Sequence, residues 1–572
     1  MSVSGAQEGL TAVPTAVAES GQAPPRAGAG RPAGPGRTFW IALAVANLCF
    51  INAWYGLQEL DPMWVNYFRP HLQYSYLLAT LADGLLLAAA LWVAWRLAIQ
   101  SGKPALRKLA ECGFLVTLIF PLELVRQIWS EQNSTPGRIS EVALLITELS
   151  VAAGAIQVLR GNRRLLNAAK MAAFASNLLF ASMLVHSFFS WLGAPSRAEF
   201  ADQPTAPFHA VAGKTPPVRV VWLLFDEMDQ WLSFAERPAS VHMPEIDRLK
   251  AESLSATAAQ PTALWTSVAI PSLFSGLPIA KAEPKGPSGL SVTASDGRRL
   301  GSWDQLPNLF RDAEKLGVNT GLIGWHHPYC RVFGSATNYC ASETGFDTGA
   351  TYADQLGLGS AMDFLIRRQW DALLRAFRVR TAKPTDDELA VFGRRHQLEQ
   401  YLANRRRALE VVRDPRYGLI YVHWPIPHPV GIYNRHTHDF NHLDDTLSYL
   451  DNLELVDVTF GELRRAMESA GLWDSTTLLI TADHGFRPDV WEQRLKWMTE
   501  AQVDPRNTQA RPIPFLLHFP GEHSGLVYSK PFSSLLTHDL ILALLSGSVS
   551  TPEQARGWLE GNRARFPLRE DR

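Results

Sequence analysis

Hydrophobic residues are distributed unevenly along the 572-residue chain, because nearly all of the long apolar runs lie before residue 195. Five runs are each about 18 to 25 residues long, which is enough to cross the roughly 30 Å hydrocarbon core of a bilayer. They occupy residues 38–55, 76–99, 112–129, 139–158 and 168–192. We therefore predict a bundle of five transmembrane helices over residues 38–195. The alternative is a set of buried helices in a large soluble protein.

The distribution of basic residues predicts the orientation of these helices. Residues 1–37, rich in Ala, Gly and Pro, predict a disordered tail that carries Arg26, Arg31 and Arg37. The second and fourth connections are also basic, whereas the first and third are poor in Lys and Arg. Because basic connections stay in the cytoplasm, the amino terminus is predicted inside and residues after 195 outside. We thus expect a multi-pass protein of the inner (cytoplasmic) membrane with a periplasmic, extracytoplasmic domain.

The pattern changes after a linker at residues 196–216. Short apolar segments at 218–225, 318–323, 418–423, 476–481 and 513–519 predict strands. Segments 389–412 and 447–470, with apolar residues three and four apart, predict helices. This alternation is typical of an α/β domain with helices on both faces of the sheet, here over residues 217–572. Ligands of such sheets bind beyond the carboxyl ends of the strands.

Charge and cysteine content narrow the class of protein. Lys plus Arg number 54 and Asp plus Glu 55, so the chain lacks the net positive charge expected for a nucleic-acid partner. Four cysteines are too few for a disulfide-based fold. Cys330 and Cys340 lie on the predicted outer side, where a disulfide is stable, so we predict one between them. Two buried free thiols are the alternative. No feature of the chain indicates an oligomeric state.

Polar residues at two strand ends suggest a metal site. Asp226 and Glu227 follow the first predicted strand, and Asp483 and His484 follow the fourth. Carboxylates and imidazoles at a shared sheet edge suit a divalent cation. Thr266 lies between the two motifs, and a hydroxyl beside such a cation can become a nucleophile. The alternative role for Thr266 is a helix cap.

Histidines supply further candidates. Five of them lie within residues 423–442, and imidazoles can bind zinc, contact phosphate oxygens or transfer protons. His428, between two prolines, is the first choice and His423 the second. His326 and His327 follow a predicted strand and could border the site, although a surface position is favoured for them.

The order of these motifs resembles the alkaline phosphatase and sulfatase superfamily. The resemblance covers about residues 217–550 and is carried by VVWLLFDE, TSVAIPSLFSG, HWPIPHP and the stretch from YLDNLELVDV to LLITADHG. It implies an alkaline-phosphatase-like α/β/α sandwich. A five-helix anchor ahead of this domain further resembles phosphoethanolamine transferases and lipoteichoic acid synthases.

The resemblance implies roles for individual residues. Thr266 matches the nucleophile, and His428 matches either a catalytic histidine on the substrate side or a ligand of a second metal; His423 is a further candidate for substrate binding. The implied ligands of a divalent metal, Zn²⁺ first and Mn²⁺, Mg²⁺ or Ca²⁺ as alternatives, are Asp226, Glu227, Thr266, Asp483 and His484. Of the two adjacent acidic residues, Asp226 is preferred over Glu227.

Two departures from the family pattern bear on the activity. Val268 and Ile270 replace the Pro and Arg of the C/S-x-P-x-R sulfatase pattern, which disfavours a formylglycine sulfatase. No histidine lies between His484 and His518, where several relatives have one. Arg487 and Arg511 are the candidate replacements for binding phosphate, and the presence of a second metal is left open.

The resemblance implies a metal-dependent transferase of the phosphoethanolamine or phosphoglycerol type. A membrane phospholipid would be the donor and a lipid or glycan the acceptor. Two alternatives stay open on the sequence. One is a phosphodiesterase or sulfuric-ester-type hydrolase, in which water is the acceptor. The other is a catalytically degenerate domain that binds a glycan or a protein.

Overall fold

A computed structural model of the chain describes residues 35–59, 67–68, 74–133, 137–192, 197–209, 218–344, 352–353, 355–376, 384–443, 447–487 and 511–568. Nearly all of the predicted tail lies outside this part of the chain. The first half of the described chain is helical, as its long apolar runs predict. Its helices are α1 (Pro35–Cys49), α2 (Ile51–Glu59), α3 (Ser75–Gln100), α4 (Pro104–Thr117), α5 (Ile119–Asn133), α6 (Gly137–Leu159) and α7 (Arg164–Leu192).

All five predicted apolar stretches are helical, but not every one forms a continuous span. Among the described residues, α3 and α7 are long and apolar enough to cross a bilayer. Helices α1 and α2 together are a third candidate, bent by 68° at the break between them. The stretch 112–129 is divided between α4 and α5, and the apolar part of α6 covers only Leu145–Leu159. The count of five crossings therefore stays a prediction.

The second half is the predicted α/β domain. Its strands are β1 (Arg219–Phe225), β2 (Leu254–Gln260), β3 (Ile279–Lys285), β4 (Gly289–Ala294), β5 (Arg299–Ser302), β6 (Thr320–Trp325), β7 (Tyr339–Glu343), β8 (Leu419–Trp424), β9 (Thr476–Thr481), β10 (Ile513–His518), β11 (Leu526–Tyr528) and β12 (Phe532–Ser533). Its helices are α8 (Pro244–Ala251), α9 (Thr266–Ser275), α10 (Leu309–Lys315), α11 (Tyr329–Phe333), α12 (Leu358–Ala376), α13 (Pro384–Val411), α14 (Tyr449–Ser469), α15 (Thr537–Leu545) and α16 (Pro552–Asn562).

In the described part of the chain, nine strands form the main sheet, in the order β11-β2-β10-β9-β1-β8-β6-β7 with β12 beside β2. Strands β9, β1, β8 and β6 run parallel, whereas β10 is antiparallel to both of its neighbours. Every residue of β1, β6, β8, β9 and β10 is buried, which indicates that both faces of the sheet are covered. Strands β3, β4 and β5 form a separate antiparallel sheet.

The register of the central strands brings their carboxyl ends together. Leu224 of β1 is paired with His423 of β8 on one side and with Thr481 of β9 on the other. The residues that follow β1 and β9 therefore emerge beside His423. This edge of the sheet contains the candidate site.

The predicted disulfide joins Cys330 of α11 to Cys340 of β7, with Cα atoms 5.6 Å apart. It lies beside β6, because β7 pairs with β6 and Leu322 is the partner of Cys340. The bond thus links two elements at one side of the sheet. The two free cysteines, Cys49 and Cys112, are in the helical half, as the sequence indicates.

Candidate active site

Four fully buried side chains gather at the carboxyl ends of β1, β8 and β9. His423 Nε2 lies 3.3 Å from Asp226 Oδ2. His484 Nε2 lies 3.6 Å from Asp226 Oδ1 and 3.4 Å from Asp483 Oδ2. We call Asp226, His423, Asp483 and His484 the ligand cluster. Parallel strand ends explain the gathering, since three segments far apart in the chain finish at one edge.

The donor set of the ligand cluster fits a divalent cation. Among the described residues, two groups of ligand atoms lie within 4.8 Å of one another: Asp226, Glu227 and His484, and Asp226, His423 and Asp483. Asp226 Oδ1 and Asp483 Oδ2 are buried without a hydrogen-bond partner in the described part of the chain. Because unpaired buried carboxylate oxygens are costly, this arrangement is that of a site for a cation. Mixed imidazole and carboxylate ligands suit Zn²⁺ and harder dications alike.

The pKa values of the two buried carboxyls are shifted in opposite directions. Burial raises the pKa of Asp226 well above its ordinary value, and the charge of Asp483 adds to this effect. Burial also acts to raise the pKa of Asp483, but His484 and His423 outweigh it and hold that pKa below the usual range. Without a cation, a proton on Asp226 relieves the repulsion. A bound cation would replace that proton.

Hydrogen bonds orient the two imidazoles as neutral ligands. His484 Nδ1 donates to the Gly485 carbonyl oxygen at 3.0 Å, so the lone pair of Nε2 faces the carboxylates. His423 Nδ1 lies 2.8 Å from the Tyr329 hydroxyl, whose oxygen can accept a hydrogen bond from Nδ1–H when Nε2 is a metal ligand. Burial lowers the pKa of His423 to about 4, which leaves its ring neutral at pH 7.

Tyr329 is a site residue that the sequence analysis missed. Its ring packs against Gly324 of β6, where a Cβ atom would lie 2.0 Å from Tyr329 Cδ2. Only glycine leaves room for the ring that holds His423 in place. A glycine inside a strand often marks such a close approach, and this signal was available in the sequence.

Thr266 is placed in the ligand cluster by the start of α9. Its Oγ1 donates to Asp226 Oδ2 at 3.2 Å and lies 3.4 Å from His484 Nε2. Trp265 occupies the cap position of α9, and Thr266 is the first residue of the helix, so the alternative role of Thr266 as a cap is wrong. The helix ends at Ser275, and Gly276 after it has a φ of 67°, the left-handed conformation common just beyond helix ends. The hydroxyl is thus available for chemistry.

Glu227 is paired, in contrast to Asp226. Its carboxylate accepts from Arg487 Nη2 at 2.7 Å and from the Arg487 backbone N–H at 2.9 Å. The φ of Glu227 is 66°, a strained value for this residue type, and its N–H donates to Asp483 Oδ1 at 3.1 Å. This geometry favours Asp226 as the main ligand. Arg487 Nε is buried without a hydrogen-bond partner among the described residues, and the guanidinium lies 5.1 Å from the Trp265 ring.

Two other predicted residues lie outside the ligand cluster. Arg511 Nη2 donates to Asp229 Oδ1 at 3.0 Å, and only 3% of Arg511 is exposed. Arg511 is therefore engaged in a buried ion pair with Asp229, and this contact does not support the predicted phosphate-binding role. His428 Nδ1 donates to the Pro429 carbonyl oxygen, and the His428 ring lies 4.9 Å from Trp325. Of these two histidines, the structure places His423, the second choice, among the possible ligands.

The favoured surface position of His326 and His327 is wrong for His327, which is fully buried. His327 Nε2 lies 3.3 Å from the Thr266 carbonyl oxygen. The His326 ring is 5.1 Å from that of His327, and the φ of His326 is 73°. Strand β6 explains the error, because it is parallel to β8 and ends at the same edge of the sheet.

The α/β domain matches a known protein family. A family model described as Sulfatase matches residues 219–546. No curated protein matches the chain. The PsFucS1 sulfatase of Pseudoalteromonas sp. is 16% identical, with 58% of this chain and 68% of that chain covered and a TM-score of 0.38. A phosphonate monoester hydrolase of Agrobacterium radiobacter is 13% identical, with 57% and 74% covered and a TM-score of 0.34. The lipoteichoic acid synthase LtaP of Listeria monocytogenes is 12% identical, with 58% and 73% covered and a TM-score of 0.30.

Proposed function

Because the chain belongs to the sulfatase family and is a sulfatase-like hydrolase or transferase, we propose that it transfers a phosphoryl group through Thr266. The donor in this proposal is a phospholipid at the outer face of the inner membrane, and the group is of the phosphoethanolamine or phosphoglycerol type. The acceptor is a hydroxyl of a lipid or a glycan. Residues 38–195 anchor the enzyme in that membrane.

One observation carries this proposal: the Thr266 hydroxyl lies within the ligand cluster, 3.2 Å from Asp226 Oδ2 and 3.4 Å from His484 Nε2. A threonine at this position supports nucleophilic attack by an alkoxide. It differs from the Cys or Ser of formylglycine sulfatases. Asp226, Asp483 and His484 would hold a divalent cation, which supplies a Lewis acid that lowers the pKa of the hydroxyl.

The side chains around Thr266 support a two-step transfer. Asp226 Oδ2 accepts the hydrogen bond of the Thr266 hydroxyl and thereby orients Oγ1 for attack. The Oγ–P bond forms while the P–O bond to diacylglycerol breaks, and the proton is passed to the diacylglycerol oxygen. In the second step an acceptor hydroxyl attacks phosphorus, the Oγ–P bond breaks, and Thr266 regains a proton.

Arg487 is the residue best placed to bind the phosphoryl oxygens. Its Nη2 is held by Glu227, while its buried Nε–H has no hydrogen-bond partner in the described part of the chain. A fixed guanidinium with a free donor suits an anionic group whose charge grows in the transition state. Trp265, 57% exposed, lies beside Arg487 at the edge of the site and offers an apolar surface to the donor.

Mass spectrometry tests the proposal directly. Full-length protein in vesicles of phosphatidylethanolamine and phosphatidylglycerol is expected to acquire a phosphoethanolamine or phosphoglycerol adduct on Thr266. Thr266→Ala should carry no adduct and lose at least about 1,000-fold in activity, as removal of a nucleophile does in other enzymes. An adduct on another residue, or full activity in Thr266→Ala, would contradict the role of Thr266. Adding candidate glycans separates transfer from hydrolysis, since only a transferase gives a modified glycan.

A further inference from the structure

Two residues between α2 and α3 lie inside the α/β domain. Tyr67 is 0% exposed and Phe68 is 2% exposed, and both belong to the main hydrophobic core of that domain. Arg331 Nη2 donates to the Tyr67 carbonyl oxygen at 2.7 Å, and Thr344 Oγ1 donates to the Phe68 carbonyl oxygen at 2.7 Å. The backbone of this segment is therefore held by the second half of the chain.

A directional chain of hydrogen bonds leads from Tyr67 to Thr266. His327 Nε2 lies 3.3 Å from the Thr266 carbonyl oxygen, and a carbonyl oxygen can only accept, so Nε2 carries the proton. His327 Nδ1 is then an acceptor, and the Tyr67 hydroxyl, 2.9 Å away, donates to it. The ring of Trp303, with its centroid 4.9 Å from that of His327, packs against the imidazole. All of these side chains are buried, so water does not substitute for them.

The first turn of α9 has particular need of this support. Pro271 lies within α9 and has no N–H, so the Ser267 carbonyl oxygen lacks its usual helical partner. The bond from His327 to the Thr266 carbonyl oxygen is an external attachment at the turn that carries the nucleophile. A small displacement of the nucleophile lowers the reaction rate, because the reacting atoms must be held nearly in contact.

We propose that Tyr67 is a positioning residue for Thr266, which it holds through His327. The inference rests on the proposed function, in which Thr266 is the nucleophile. The helical half of the protein thereby contributes to the active site as well as anchoring it. Catalytic geometry is complete only when Tyr67 and Phe68 are packed into the α/β domain.

Tyr67→Phe tests this role in the full-length protein, because it removes the hydroxyl and keeps the ring. With bis(p-nitrophenyl) phosphate as the probe, kcat is expected to fall about five-fold, the effect of one lost hydrogen bond of about 1 kcal/mol, with KM little changed. Hydrogen–deuterium exchange in peptides that cover α9 is expected to become faster. These two readouts report the position of Thr266 and not overall stability.

Tyr401→Phe is the matched control. Tyr401 is 1% exposed, and its hydroxyl lies 2.8 Å from Thr459 Oγ1, in a hydrogen bond that joins α13 to α14. This variant loses one buried hydrogen bond and should keep kcat and the exchange of α9 at the wild-type level.

Three outcomes decide the matter. A Tyr67→Phe protein equal to wild type in kcat and exchange would overturn the proposal, and so would equal losses in both variants. If Thr266→Ala stays active, the proposed function fails. The positioning role of Tyr67 is then judged by the hydrogen–deuterium exchange of α9 alone. Faster exchange in Tyr67→Phe alone then supports the positioning of Thr266, and unchanged exchange rejects it.

Discussion

The ligand cluster depends on which atoms of each side chain face the cation position. Hydrogen bonds to Gly485 and Tyr329 turn Nε2 of His484 and His423 toward the carboxylates. Among the described residues, Asp226 and Asp483 each have one buried oxygen without a hydrogen-bond partner, whereas Glu227 is paired with Arg487. Adjacent acidic residues in the sequence thus have different roles. Asp226 faces the cation position, and Glu227 fixes the arginine that would contact phosphate.

Removal of a ligand should remove the metal. We expect the purified wild-type protein to contain stoichiometric metal by elemental analysis. Asp483→Ala should bind it at least about 100-fold more weakly, since even loss of an outer partner of a ligand costs 10- to 100-fold. Asp451→Ala is the control. Asp451 is also buried, but it pairs with Arg435 and belongs to the capping box of α14. Equal metal contents in the two variants would show that Asp483 is not a ligand.

The Asp457 carboxylate links helices α8 and α14 through a hydrogen bond across their interface. Asp457 of α14 accepts from the N–H of Ile246 at 2.8 Å, in the first turn of α8, where backbone donors lack partners within the helix. Glu245 of α8 in turn pairs with Arg464 of α14 at 2.6 Å. The predicted helix 447–470 thus has a function in packing. It holds α8, which leads into β2 of the main sheet.

Asp457 makes stability depend on pH. Burial raises its pKa from 3.8 to about 7, so between these values the folded protein binds a proton that the unfolded chain has released. Stability contributed by this group is present below about pH 4 and is lost as the pH rises toward 7. Asp457→Asn keeps the acceptor oxygen and removes the titration. Its melting temperature, relative to wild type, should rise from pH 4 to pH 8, and a constant difference would contradict the argument.

The contact between Tyr67 and the α/β domain constrains the topology of the whole chain. If residues 38–195 cross a membrane, Tyr67 and the α/β domain must lie on the same side of it, so the chain crosses an even number of times between them. Counting the first crossing, the total is odd. Three crossings by α1–α2, α3 and α7 satisfy this condition, as do the five predicted from apolar length and charge. Four crossings do not.

Cysteine labelling distinguishes five crossings from three. In a background with Cys49 and Cys112 replaced by Ala, Thr135→Cys should react with an impermeant maleimide added from outside if five helices cross. With three crossings the same position is inside and stays unlabelled. Ser101→Cys is the control, because it is inside in both arrangements. Alkaline phosphatase fused after residue 572 should be active, and labelling of Ser101→Cys from outside would contradict the predicted orientation.

Short-range patterns along the chain were sufficient to predict the fold class and some of the residues of the candidate site. Apolar periodicity predicted the helical half and the five central strands, and the strand ends led to Asp226, Asp483 and His484. These are local properties, since a strand and the residues that follow it are contiguous in sequence. The disulfide was predicted in the same way, from two cysteines ten residues apart.

The partners of these residues could not be predicted locally, because they depend on strand order and register. The order β9-β1-β8-β6 brings His423 rather than His428 to Asp226, and brings His327 behind Thr266. Tyr67 reaches His327 across 260 positions of sequence, a separation over which no periodicity or motif carries information. Packing of the complete sheet therefore decided which buried polar groups meet, since each of them is stable only beside its particular partner.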